Sequence, residues 1–148
     1  MKTLFLLFLA VALFSAEHDD VLGKWVIDND ATIAFAQEHL KSLPEDGEMY
    51  KIYSGMAEGL QARPTTSDII MYEFLKTSVA ATLNGKRMVG NYDSITPENG
   101  RLLLNFTIQE GDFKAAIALS FQKRTDGKLI MTNHKGGKSV DMVVVKAD

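Results

Sequence analysis

From residue 68 to residue 146 the chain alternates apolar and polar side chains, and short turn sequences interrupt the alternation at regular intervals. A period of two puts neighbouring side chains on opposite faces of an extended strand, so this pattern predicts β-strands rather than helices. Asn84-Gly85 is a strong signal for a two-residue hairpin turn. The other predicted turns are Pro97–Gly100, Glu110–Asp112, Thr125–Gly127 and His134–Gly137. Strands joined by turns this short must be antiparallel neighbours, so the region predicts a meander of seven strands.

One short strand and two helices are predicted ahead of the meander. Val21–Ile27 is β-prone, and the polar run Asp28–Asp30 that follows can cap a helix. Between residues 31 and 43 the apolar residues are spaced by three and four, as on one face of a helix, and Pro44 ends this pattern. A second helical pattern runs to Arg63. The chain therefore divides into a helical insertion at about 31–63 and a β meander at about 68–146.

These elements predict a mainly β (α+β) fold, an eight-stranded antiparallel meander or barrel with a two-helix insertion between strands 1 and 2. A long open sheet leaves two edges exposed, which favours closure, with the first strand pairing to the last. The helices would then cap one opening or pack on one face. The alternative is an open sheet with both helices on one face.

Residues 1–16 have the layout of a secretory signal peptide. Lys2 precedes an unbroken apolar run from Leu4 to Phe14, followed by small residues up to Ala16. The run is too short to cross a bilayer as a helix, although an N-terminal anchor is the alternative. We therefore expect a single domain at 17–148, periplasmic or secreted, with membrane contact only during export. The absence of Cys excludes disulfides, thiol catalysis and a lipidated cysteine, and it favours a bacterial periplasm.

Charge and motifs exclude several functional classes. A formal net charge of −3 makes a nucleic-acid binder improbable, because no basic stripe is present. The sequence has no HExxH or GxSxG motif, and its histidines, His18, His39 and His134, show no metal-ligand spacing. No nucleophile can be paired with an activating base. We therefore expect a non-enzymatic protein without a metal or other cofactor.

Gly23-Lys24-Trp25, followed by Ile27-Asp28, resembles the G-x-W opening of lipocalin-like (calycin-type) barrels. The order of a G-x-W strand, two helices and a meander is also distantly similar to fatty-acid-binding proteins, and small exported bacterial proteins of this type often have a second G-x-aromatic motif, here Gly90-Asn91-Tyr92. The resemblance implies an eight-stranded barrel with Gly23 and Trp25 as structural anchors. The last strand lacks the Arg-x-Tyr pair with which many fatty-acid-binding proteins hold a carboxylate, so the sequence does not predict fatty acid as the ligand.

Small residues on the predicted inner face would leave space inside a barrel of this size. Aromatic and methionine side chains lining that space would suit a small apolar ligand. The predicted ligand-binding residues are Met71, Glu73, Met88, Tyr92, Phe106, Phe121 and Met142. Glu73 belongs to this set only if its strand face points inward, and the alternative is that Tyr72 and Phe74 point inward while Glu73 is solvated. A core filled entirely by side chains is the alternative to a cavity.

The sequence therefore predicts an exported binding protein that carries or senses a small apolar ligand in a cavity between sheet and helices. The alternative is a partner-binding periplasmic protein of the inhibitor or immunity type, with a filled core. Its candidate surfaces are Tyr50 and Tyr53 on the second helix or the segment Asp93–Ile95. A homodimer through the face that carries Gly55 and Gly59 is a further possibility.

Overall fold

The computed structural model describes residues 13–62, 70–83 and 85–147. Within these ranges the chain forms nine β-strands and three α-helices. The strands are β1 Leu13–Ser15, β2 Gly23–Ile27, β3 Ile70–Phe74, β4 Ser78–Leu83, β5 Lys86–Glu98, β6 Arg101–Glu110, β7 Phe113–Arg124, β8 Leu129–Lys135 and β9 Lys138–Lys146. The helices are α1 His18–Val21, α2 Asn29–Leu40 and α3 Glu48–Ala62.

Strands β2 to β9 form a closed antiparallel barrel. Each of these strands pairs with the next one along the chain. The last strand, β9, also pairs with the first, β2, and this pairing closes the sheet. Trp25 of β2 lies opposite Lys146 of β9 at this closure. The eight-stranded fold with two helices between its first two strands is therefore confirmed, and the barrel form replaces the open sheet.

Parts of the chain lie outside the described residues, including most of the predicted leader and one residue of a predicted turn. Residues 1–12, the segment 63–69, Asn84 and Asp148 lie outside them. Leu13–Ser15, at the end of the predicted leader, form β1 and pair with Gln122–Arg124 of β7.

The interior of the barrel is apolar and contains an aromatic cluster. The ring of Phe74 packs edge-on against Phe121 and Phe106, with centroid distances of 5.3 and 6.1 Å. All three side chains are fully buried. Burial alternates along β6, and the face that points inward carries Leu102, Leu104, Phe106 and Ile108.

Strands β5 and β6 approach each other unusually closely at Gly90. A Cβ atom at this position would lie 1.7 Å from the carbonyl oxygen of Thr107. Only a residue without a side chain fits there, which explains why glycine stands in the second G-x-aromatic motif. The register of the pair shifts a few residues further on, between Tyr92 and Ser94, so β5 carries a bulge there.

Helices α2 and α3 pack against each other and against the outer wall of the barrel at β9. The Asp28 carboxylate caps α2 by accepting a hydrogen bond from the Ala31 N–H at 3.0 Å, as the sequence predicts. The Thr32 hydroxyl lies 3.0 Å from both the N–H and the carbonyl oxygen of Val143 on β9. The hydroxyl therefore attaches the first turn of α2 to the barrel.

Further polar contacts join the helices to the barrel in a region that we call the seam, comprising Thr32, His39, Tyr53, Thr132 and Asp141. The Asp141 N–H donates to the Tyr53 hydroxyl at 3.0 Å, and the Asp141 carboxylate accepts from the Thr132 hydroxyl at 2.5 Å. The His39 ring stacks on Tyr53 with a centroid distance of 4.6 Å. Burial raises the pKa of Tyr53, and the hydrogen bond from Asp141 only partly offsets this effect.

Candidate functional site

One end of the barrel is closed by α1 and by side chains from the interior. Val21 at the end of α1 is fully buried, and its carbonyl oxygen accepts a hydrogen bond from Nε1 of Trp25 at 2.8 Å. Ala16 and Trp25, which are 5 % and 4 % exposed, belong to the same apolar cluster as Val21. This arrangement fills the barrel at the end where β2 begins.

Tyr92 adds a polar closure at this end. Its hydroxyl donates to the carbonyl oxygen of Leu75 at 2.7 Å, and it lies 3.2 Å from Nε2 of His18. Burial raises the pKa of Tyr92 to about 12, so the phenol stays protonated and can donate. Tyr92, the aromatic residue of the second G-x-aromatic motif, therefore connects β5 to the turn after β3 and to α1.

The opposite end of the barrel is open, and we call it the mouth. A cavity of about 240 Å³ lies there between strands, and its inner lining includes Tyr72, Ile108, Ala115 and Ile117. The cavity exists because Ala115, opposite Ile108, is too small to fill the space between the strands. Phe113 stands at its rim and is 55 % exposed.

A second cavity of about 470 Å³ adjoins the first, because Asn133 and Lys135 line both. Ile52 of α3 covers one side of it, and Val140 and Met142 of β9 form the other. Helix α3 therefore extends over part of the mouth, whereas α2 packs on the outer wall. The cavities together present an apolar lining with an amide and an ammonium group at the rim.

Tyr72 is a buried residue with a polar group that lines the mouth. Its side chain is 8 % exposed, and its ring packs against Phe74 and Phe106 with centroid distances of 5.7 and 6.2 Å. Burial raises the pKa of Tyr72, so its hydroxyl is neutral. Among the described residues, no hydrogen bond joins this hydroxyl to another group of the protein. It is therefore free to bond a molecule in the cavity.

The seven predicted ligand-binding residues do not lie together. Met142 lines the cavity under α3. Met88, Phe106 and Phe121 are buried within the core, and Tyr92 seals the closed end. These five side chains belong to the barrel core or pack against it, but only Met142 lines one of the described cavities.

Met71 and Glu73 are placed on the outer face of the barrel, which corrects their assignment to the cavity lining. Because Tyr72 and Phe74 of the same strand point inward, the residues between them must point outward. The Glu73 carboxylate accepts a hydrogen bond from the Arg87 guanidinium at 3.3 Å. The alternative in which Glu73 is solvated is therefore correct, and the carboxylate is stabilised by an ion pair on the surface.

The two predicted anchors lie side by side at the closure of the barrel. Gly23 has a φ of +113°, a value that side-chain-bearing residues rarely adopt. The ammonium group of Lys146 lies 5.7 Å from the centroid of the Trp25 ring. The tryptophan is thus held by a hydrogen bond, by packing and by a cation above its face.

The surfaces predicted for a partner-binding protein differ from those that the structure shows. Tyr53 is 3 % exposed, because it is buried between α2 and the outer wall. Ile95 is part of β5 rather than a loop and is 38 % exposed. Gly55 and Gly59 lie on an open face of α3, with no atom within 4 Å of an added Cβ.

The described part of the chain shows no group of three His, Cys, Asp or Glu side chains placed to bind a metal ion. In the same part no helix is both long enough and apolar enough to cross a membrane.

No family model, curated protein or solved structure matches this chain. The closed eight-stranded antiparallel barrel with few helices is compatible with a lipocalin-like fold. The resemblance of this chain to lipocalin-like barrels therefore rests on two features, the architecture and the role of Trp25 of the G-x-W motif at the closure of the barrel.

Sequence reasoning missed the residues that line the mouth. Tyr72, Leu83, Ile108 and Ile117 are unremarkable members of alternating strands, and only the direction of each strand decides which of them lie at the open end. The one usable signal was the position of the hairpin turns, since three predicted turns cluster around the same end of the barrel. These are Asn84-Gly85, Glu110–Asp112 and His134–Gly137.

Proposed function

We propose that this chain is an exported binding protein, related to the lipocalin-like proteins, that holds a small apolar molecule in the mouth of its barrel. The observation that carries the proposal is the mouth itself, an apolar cavity of about 240 Å³ beside a second one under α3, with a free hydroxyl from Tyr72 inside it. Concave, mostly apolar sites with a few polar groups are typical of small-molecule binding. The rim carries Asn133 and Lys135, which can orient a polar end of the ligand toward water.

The size of the cavity limits the ligand. About 240 Å³ is less than the roughly 300–1,000 Å³ of pockets for drug-sized molecules. We therefore expect a compact molecule with an apolar body of one or two rings or a short chain. Because the Tyr72 hydroxyl is neutral and Tyr72 lines the cavity, a ligand that carries one hydroxyl or carbonyl group should bind more tightly than its pure hydrocarbon counterpart.

Naphthalene and 2-naphthol test this proposal, because they differ by a single hydroxyl group. We expect both to bind the purified protein in calorimetric titrations, with 2-naphthol binding about 2- to 10-fold more tightly. In Tyr72→Phe this preference should disappear while naphthalene still binds. Failure of both probes to bind, or a preference that persists in Tyr72→Phe, would contradict the proposed site.

A filled mouth provides the second test. Ala115→Leu places a larger side chain in the cavity and should abolish binding of both probes. Ala62→Leu adds the same atoms at an exposed position at the end of α3, outside the mouth, and serves as the matched control. Native mass spectrometry of the protein from its own host should also reveal a small apolar adduct, whereas a co-purifying protein on an apo chain would favour the partner-binding alternative.

A further inference from the structure

The outer wall of the barrel carries a groove whose lining has only His134 in common with that of the mouth. The groove has a volume of about 450 Å³ and lies on the outer faces of β6, β7 and β8, beside the turn between β5 and β6. Its lining consists of Glu98, Asn99, Arg101, Leu103, Asn105, Ala118, Ser120 and His134. We propose that Ser120 in this groove is an activated nucleophile and that the groove is a site of acyl transfer from small esters. This inference goes beyond the proposed function, which concerns the interior, and it opposes the expectation of a non-enzymatic protein.

Ser120 and His134 have the geometry of a nucleophile and its base. The Ser120 Oγ lies 2.8 Å from Nε2 of His134, and Nδ1 of the same ring lies 2.8 Å from the Ser139 Oγ. With its proton on Nδ1, the ring donates to Ser139 and accepts from Ser120. A nucleophile bonded to a base that is oriented by a third group is the arrangement that activates serine hydroxyls in enzymes.

The register of the sheet fixes this arrangement. His134 of β8 lies directly between Ala118 of β7 and Ser139 of β9, and Ser120 is the next residue of β7 on the same face. Three neighbouring strands therefore each supply one member of the set. Side chains on paired strands of a closed barrel are held more rigidly than side chains on loops, which suits a site that must keep hydrogen-bond distances.

Ser120 is buried without being covered by the helices. It is 3 % exposed and is one of three buried polar residues among those described, the others being Thr32 and Thr132. The Thr32 hydroxyl joins α2 to β9, and the Thr132 hydroxyl bonds Asp141 of β9 and Arg101 of β6. Ser120 instead lies on the floor of the groove, so a small molecule that fills the groove contacts it.

Arg101 supplies a positive charge next to the proposed nucleophile. Its guanidinium group lines the groove and donates one hydrogen bond to the Thr132 hydroxyl at 2.8 Å. Thr132 lies directly opposite Ser120 in the sheet. A guanidinium group carries five N–H bonds, so others remain to stabilise negative charge on a carbonyl oxygen.

The reaction uses only groups in the groove and water. The Ser120 Oγ forms a bond to the ester carbonyl carbon while its proton passes to Nε2 of His134. The bond to the alcohol oxygen then breaks, and His134 gives the proton to the departing alcohol. Water attacks the acyl-serine in the same way and releases the carboxylic acid and free Ser120. Leu103 and Ala118 give the groove an apolar part that can contact a short uncharged acyl group.

An alkyl fluorophosphonate tests the proposal with the full chain. Attack by the Ser120 Oγ breaks the P–F bond, releases fluoride and leaves a stable phosphonyl-serine that mass spectrometry locates on a peptide. We expect a single adduct at Ser120 and none at Ser94, an exposed serine that bonds Asn105 rather than a histidine. Ser120→Ala should abolish the adduct but leave 2-naphthol binding unchanged, which separates this site from the mouth.

The role of the base is measured by the rate of labelling. His134→Gln should slow the labelling of Ser120 by about 100-fold. Ser139 is a positioning residue, and because it is exposed, its substitution should not affect folding. Ser139→Ala should slow the labelling, and Ser139→Thr, which keeps a hydroxyl, should restore it. The proposal is overturned if Ser120 is not labelled, if Ser94 is labelled equally fast, or if Ser139→Ala and Ser139→Thr label at the rate of the unchanged protein.

Discussion

The interior of the barrel and the seam on its outer wall are stabilised by different interactions. In the interior, Phe74, Phe106 and Phe121 pack against one another without polar partners. In the seam, the Thr32 hydroxyl and the Tyr53 hydroxyl contact backbone groups of β9 directly. The volume of the buried side chains therefore determines the stability of the interior, whereas hydrogen bonding determines the stability of the seam. Substitutions that change one property at a time can separate them.

Phe121→Ala should have the largest effect. It removes a fully buried ring from the aromatic cluster, and the closed barrel cannot collapse around the space left. We expect a loss of about 3–5 kcal/mol in the free energy of unfolding, measured by urea denaturation. Leu119→Met, which keeps the volume at a neighbouring buried position, should cost less than about 1.5 kcal/mol. Equal losses for the two variants would show that volume does not govern the interior.

Gly90→Ala tests the packing of the barrel wall itself. The new Cβ atom would lie 1.7 Å from a backbone oxygen, so β5 and β6 would have to separate. We expect a loss of about 3 kcal/mol. Gly55→Ala is the matched control, because it adds the same atom to an open helix face and should raise stability by about 0.5–1 kcal/mol. If Gly90→Ala were as stable as Gly55→Ala, the close approach of the two strands would be refuted.

Thr32→Val keeps the shape of a seam side chain and removes its hydroxyl. Two backbone groups of Val143 would then lack this buried partner, and we expect a loss of about 2 kcal/mol. Thr32→Ser keeps the hydroxyl and should cost less. The same urea experiment measures both variants. A smaller loss for Val than for Ser would mean that packing, not hydrogen bonding, governs the seam.

Asp28 provides the smallest effect, and it depends on pH. Desolvation by burial raises the pKa of Asp28, but the hydrogen bonds from Lys128 and Ala31 and the charges of Lys128 and Arg124 outweigh it, so the pKa is lowered from 3.8. A carboxyl group whose pKa is lower in the folded state contributes stability above its unfolded value, and this contribution is lost as the pH falls through the folded value.

Asp28→Asn should therefore cost less than about 1 kcal/mol at neutral pH, because asparagine still caps α2 but cannot pair with Lys128. The difference from the unchanged protein should shrink as the pH is lowered below 3.8. We expect urea midpoints at pH 7 and pH 3 to reveal this trend. A difference that grows at acidic pH would contradict the sign of the pKa shift.

Much of the fold could be predicted from local patterns. The strand Ser78–Leu83 ends where a hairpin turn is predicted, and Asp28 caps α2 as expected. Both depend on neighbouring residues alone, through the period of two and the capping preference. β5 continues to Glu98, into the turn predicted at Pro97–Gly100, because pairing with β6 keeps it extended beyond Tyr92. The bulge after Tyr92 allows this, and no local signal announced it.

The candidate sites could not be predicted in the same way. The side of β3 that faces inward was left open by the sequence, since Met71 and Glu73 alternate with Tyr72 and Phe74 and both sets contain apolar residues. Pairing of β3 with β2 and β4 settles the question, because burial of Phe74 and Trp25 on one face forces Glu73 to the other. The groove shows the same limit, since Ser120, His134 and Ser139 have no recognisable spacing along the chain and meet only through the register of three strands.

The sequence by itself determined the strands, the turns between them and the helical insertion, because these follow from side-chain period, glycine positions and capping within a few residues. It also determined that the first strand would carry an anchor at Trp25. Only the tertiary structure decided which end of the barrel is open, which faces point inward and which polar groups meet. Those properties depend on closure between β2 and β9, a contact between residues that are more than a hundred positions apart in the chain.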